Sequence, residues 1–192
     1  MKNDYTISIR DYLDWEISVL NRLDLNAIND VMNAIVEAYQ NSRRIYIFGN
    51  GGSAATASHF INDFNKGLSE NLDKKFNFVC LNDNVPTLLA IANDLGYEYI
   101  FEYQLKGKLE PGDIVIAISG SGNSLNILRA VEYAKSQSNR VIGITGFAGG
   151  KLANISDISL NVPVDNIQIT EDVHMIFNHM IMSILREELI ER

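Results

Sequence analysis

Apolar residues along the chain recur with two different periods. Between residues 9 and 40, Leu13, Ile17, Leu20, Ile28, Val31, Ile35 and Val36 follow a helical spacing that breaks around Asp24–Asn26, which predicts two opening helices. Beyond them the period changes. RRIYIF (43–48), FNFVCL (76–81), DIVIAIS (113–119), RVIGIT (140–145) and DISLNV (157–162) are continuous apolar runs of strand length, separated by helical stretches such as SLNILRAVEYAKSQ. Strands apolar on both faces are covered on both sides, so the predicted fold is α/β, a flavodoxin-like three-layer sandwich with a five-stranded parallel sheet and right-handed crossovers. A final helix from about Thr170 to Glu191 carries Val173, Ile176, Phe177, Met180, Ile184 and Leu185 on one broad face, which a neighbouring subunit is expected to cover.

Composition narrows the possibilities. With no internal repeat and only three prolines to mark a linker, the 192 residues are expected to form one domain over 1–192. The opening MKNDYTISIRDYLDWE mixes charges with apolar residues, unlike a secretory leader, and no apolar run reaches membrane-spanning length, so a cytoplasmic protein is expected. A net charge of -8 without a basic stripe argues against a nucleic-acid partner. The single cysteine, Cys80, lies inside a strand-like run and is expected to be a buried structural thiol.

Two loops carry the candidate chemistry. GNGGS (49–53) follows the first strand and SGSGNS (119–124) follows the third, and each leads into a helix. Glycine allows the backbone to turn successive N–H groups toward an anion, and serine hydroxyls add donors, so the pair suits a phosphate. The first loop also fits G-x-G-x-x-A from Gly49 to Ala54. However, the acidic residue that a dinucleotide site needs about 20 residues onward is missing at that spacing, the next strand ending at Asp83. No P-loop signature is present.

All three histidines fall on two helical segments. His59 and Asp63, four residues apart, share a helix face; this spacing can hold a metal, orient an acid/base pair, or simply combine a packed imidazole with a solvated carboxylate. On the last helix Glu171 lies about 60° from His174 and about 80° from His179, whereas the two histidines are about 140° apart. Both cannot serve one site.

These residues resemble a family, the SIS (sugar isomerase) domain proteins of phosphoheptose isomerase type. The resemblance rests on GNGGSA with the histidine of SHF, IANDLGYEYIFEYQL, ISGSGNSLNILRA, ITGFAGG and the E-x-x-H-x-x-x-x-H ending. It implies a homotetramer with sites between subunits, a sugar-phosphate ligand and commonly zinc. It places substrate contacts at Asn50, Gly51, Gly52, Ser53, Asn93, Asp94, Ser119, Gly120, Ser121 and Ser124, and the metal or catalytic set at His59, Asp63, Glu171 and His179. His179 is thereby chosen over His174. Two positions depart from the family pattern, which has glutamate where this chain has Asp63 and glutamine where it has Glu171. The arginine that follows the former position is replaced by the run containing Lys66, and the basic residue before the latter is missing from DNIQIT.

The implied activity is interconversion of sedoheptulose 7-phosphate and a mannoheptose 7-phosphate through an enediolate. Such a reaction needs a base, an acid and stabilisation of developing charge. Asp63 or Glu171 is expected to move the proton, His179 to protonate oxygen, and a divalent ion to polarise the carbonyl. The alternative is a non-catalytic sugar-phosphate sensor or scaffold of the type that associates with replication initiators.

Overall fold

The computed structural model describes residues 3–191. Helices α1 (Thr6–Leu20) and α2 (Leu25–Gln40) open the chain. Asp24 separates them because its carboxylate accepts the Asn26 and Ala27 N–H groups and so caps α2. The sheet then builds from β1 (Ile45–Gly49), β2 (Phe78–Cys80), β3 (Ile114–Ser119), β4 (Arg140–Thr145) and β5 (Ile158–Asn161). Between the strands run α3 (Gly52–Ile61), α4 (Val85–Asp94), the short α5 (Glu102–Leu105), α6 (Leu125–Ser136) and α7 (Gly150–Ile155); α8 (Ile167–Arg186) follows β5.

All strand pairs are parallel, in the order β2-β1-β3-β4-β5. This is the flavodoxin-like order, whose direction of winding reverses between β1 and β3. Alternate strand residues feed two cores. Ile45, Ile47, Ile116, Ile142 and Leu160 pack against α2, α3 and α8, while Tyr46, Phe48, Val115, Ala117 and Val141 pack against α5, α6 and α7. The predicted strands are therefore all present, although FNFVCL shortens to three paired residues because β2 is an edge strand with β1 alone beside it. Among the described residues, no helix is long and apolar enough to cross a membrane.

The last helix differs from expectation in two respects. It begins at Ile167, because the Asn166 side chain accepts the Ile169 N–H and caps it. Its apolar face is covered by this chain's own sheet and by α2, with Val173, Phe177 and Ile181 almost fully buried. α1 is far less covered: Ile7, Ile9, Leu13, Trp15 and Ile17 are exposed and Val19 alone of its residues is buried.

Thr170, His174 and Asn178 form a polar line within the buried face of α8, each 0% exposed. The His174 ring lies 3.1 Å from the Thr145 carbonyl through Nε2, which donates, and Nδ1 has no partner among the described residues. Burial pushes the imidazole pKa down to about 4. The unfolded chain, with an ordinary histidine near 6.5, therefore binds a proton that the folded chain refuses. Stability is lost as pH falls from about 6.5 toward 4, by roughly 3 kcal/mol from this group. Urea titrations of metal-free protein at pH 7 and 4.5 should show His174→Gln losing less stability over that interval than the unmodified chain; equal losses would contradict the assignment.

Candidate active site

Both glycine loops emerge at the carboxyl ends of β1 and β3, on either side of the reversal point, where an open α/β sheet gathers its ligands. After β1, Gly51 takes φ 54°, a left-handed turn that swings the chain into α3. Gly51 and Gly52 are exposed at the start of that helix, whose first N–H groups lack helical acceptors, and Ser53 is buried beneath them.

Asn50 is held from two sides. Its Oδ1 accepts from the Tyr97 hydroxyl and from Asn126 Nδ2, each at 2.9 Å, and its Nδ2 donates to Asn126 Oδ1 at 2.9 Å. Asn126 is 2% exposed in the first turn of α6, so this double amide bond ties the first loop to the helix behind the second. Beside it, a cavity of about 240 Å³ opens between the loop and α4, lined by Leu88, Leu89, Ala92 and Tyr97.

The second loop ends at Ser124, the residue before α6. Its hydroxyl does not cap the helix but faces that of Ser119 at 3.4 Å; the Ile127 N–H is taken by Asn126 Oδ1 at 3.0 Å, and among the described residues no side chain caps the Leu125 and Asn126 N–H groups. Ser121 is exposed beside it, and Gly120 is buried. The loop is locked from below by Gly122, at φ 64°, whose carbonyl accepts the Leu152 N–H. A methyl group added there would overlap the Gly149 carbonyl oxygen.

Three of the four candidate metal or catalytic residues converge. His59 Nε2 lies 3.1 Å from His179 Nε2 and 3.3 Å from Asp63 Oδ2, and His179 Nε2 lies 3.7 Å from the same oxygen. Asp63 sits where α3 passes into a π-helical segment, Asn62–Gly67, a local widening of the helix that often accompanies function. It is 8% exposed, whereas the His59 and His179 side chains are 41% and 54% exposed, so the cluster faces out from a buried base. Glu171 is not in that triangle. Its carboxylate lies against Gly52, close enough that a side chain at Gly52 would collide with it, and so borders the first loop.

Asn93 and Asp94 stand at the exposed end of α4, where the amide of Asn93 donates to Asp94 at 2.8 Å. Among the described residues, no hydrogen bond joins them to either loop. Cys80 is buried beside Ser58, and burial pushes its thiol up to about 11, consistent with a structural role.

The triangle fits a divalent ion. A tetrahedral zinc with bonds of about 2.05 Å holds its ligands about 3.3 Å apart, close to all three separations here. Two imidazole nitrogens and one carboxylate oxygen are donors that zinc accepts, and three protein ligands leave a fourth position open, the pattern of catalytic rather than structural sites.

Sequence reasoning did not single out Tyr97, Asn126 or Asn178. The amide of Asn178 donates to Asp63 Oδ2 at 2.7 Å. A readable signal existed in the polar residues at positions 170, 174 and 178, which recur every four residues along an otherwise apolar face of the helix.

Comparison with known proteins adds the family context. A family model described as SIS domain matches residues 11–146. A phosphoheptose isomerase of Aneurinibacillus thermoaerophilus is 35% identical over 172 residues, covering 86% of this chain and 83% of the relative. A phosphoheptose isomerase structure from Francisella tularensis superposes with a TM-score of 0.88 at 30% identity, covering 96% of this chain and 100% of that one. Another, from Neisseria gonorrhoeae, gives 0.86 at 26% identity, covering 95% and 98%.

Proposed function

We propose, from the premise that the chain belongs to the SIS domain family, that it is a sugar-phosphate aldose–ketose isomerase. Its substrate is sedoheptulose 7-phosphate, its product a mannoheptose 7-phosphate. The observation that carries this reading is the ion-sized triangle of His59, Asp63 and His179, built from helices that also border the two anion-binding loops. The names of the relatives support the same chemistry.

The Ser119, Ser121 and Ser124 hydroxyls and the N-terminus of α6 receive the phosphate. Gly51, Gly52 and Ser53 present backbone donors to the sugar, and Asn93 and Asp94 complete the contacts. His59, Asp63 and His179 would hold a zinc ion, whose Lewis acidity would serve to polarise the carbonyl and stabilise the charge that develops on its oxygen. Asp63 is committed as a ligand, being tied to Asn178 and close to both imidazoles. Glu171, half-buried and bordering the first loop, is then the group that takes the proton from the carbon beside the carbonyl and returns it to the adjoining carbon. The hydroxyl proton passes between the two oxygens of the enediol, so the exchange balances with no added reactant. The exposed apolar residues of α1 support a homotetramer, in which other copies cover that helix. A cytoplasmic location fits this role.

Incubation with zinc and sedoheptulose 7-phosphate tests the reading. Conversion to an aldose phosphate is expected. If sugar phosphates raise the melting temperature but none is converted, the protein is a binding module and the enzyme reading is wrong.

A further inference from the structure

The buried amide of Asn178 has no counterpart in the reaction scheme above. It is 0% exposed on α8, and its Oδ1 has no hydrogen-bond partner among the described residues. Leaving a buried carbonyl oxygen unpaired is destabilising, a cost that an apolar side chain at the same place would not carry. What the amide does make is one short bond, Nδ2 to Asp63 Oδ2 at 2.7 Å.

That bond fixes the direction of the amide. A carboxylate accepts and never donates when ionised, so the nitrogen must face Asp63 and the oxygen must turn away into apolar surroundings. Asp63 is held at both ends as a result, since its Oδ1 also accepts from the neighbouring Asn62 side chain at 3.2 Å. Oδ2 is the oxygen that faces His59 and His179, and a carboxylate oxygen has a second lone pair for an ion after accepting one hydrogen bond.

We infer that Asn178 is a positioning residue that holds the Asp63 carboxylate in the orientation needed to ligate a divalent cation. The inference rests on the metal reading proposed above. Outer partners that orient a ligand typically account for 10- to 100-fold in metal affinity, so the unpaired oxygen is the cost of a tightly set ligand.

The test uses metal-free full-length protein, titrated with cobalt(II), whose visible absorption reports ligand geometry, and then with zinc in competition. Asn178→Leu and Asn178→Ala are compared with the unmodified chain, each first checked for cooperative melting. Each variant should keep a cooperative melt, yet both should bind metal about 10- to 100-fold more weakly, with an altered cobalt spectrum. Unchanged affinity and spectrum in a folded variant would overturn the role given to Asn178. Failure of both variants to fold would make Asn178 a stability residue and also overturn it. If the unmodified chain itself binds neither metal, the metal reading fails first.

Discussion

Replacing Glu171 by glutamine is expected to lower turnover about 10²- to 10⁴-fold, the range for loss of a positioned general base. The substitution keeps the shape of the side chain and removes only its capacity to take a proton. Metal binding should survive, because Glu171 lies against Gly52 and outside the His59–Asp63–His179 triangle. Asp63→Asn should instead weaken zinc binding by removing a charged ligand, and lose turnover through that route. Glutamine is also the residue that the resemblance expects at position 171. If Asp63 were the base instead, Glu171→Gln would leave turnover intact. Steady-state kinetics on the two variants, with bound zinc measured in each, separates these outcomes.

The second large effect concerns stability. Gly122→Ala is expected to cost about 2–4 kcal/mol, enough to lower the melting temperature by about 5–15 °C for a chain of this length. A left-handed backbone alone accounts for about 1 kcal/mol of that. The rest comes from collision with the Gly149 carbonyl, which separates the second loop from the start of α7 and strains the Leu152 N–H bond to Gly122. Gly107→Ala is the control, for Gly107 also has a positive φ, 71°, but open space where its side chain would go. It should lose only about 1 kcal/mol. Because Gly122 underlies Ser121, the Gly122 variant should also bind sugar phosphates more weakly, whereas Gly107→Ala should not. Equal losses of stability in the two variants would contradict the interlocked loops.

Much of this was legible in the residues because it is local. The RVIGIT run matches β4 at both ends, and the glycine and serine loops follow their strands as expected, since an apolar run ending in small flexible residues encodes its own turn. Helical spacing brought His59 and Asp63 to one face. It also showed that His174 and His179 could not share a site, and the structure sends the first to the Thr145 carbonyl and the second to His59. What escaped is long-range. Asn178 meets Asp63 across 115 positions and Asn50 meets Asn126 across 76, contacts that no local pattern encodes. The covering of α8 was misjudged for the same reason. Its apolar face says that something must cover it, but which element does so depends on the order in which the strands assemble.

Calorimetric titration of metal-free protein with zinc tests the shared foundation of the proposed site, run in parallel on a chain carrying His59→Gln and His179→Gln. Roughly one zinc ion per chain is expected for the unmodified protein, with binding abolished when both imidazoles are removed. Absence of binding to the unmodified chain, or equal uptake by the doubly substituted one, would contradict the assignment of His59, Asp63 and His179 as the metal centre.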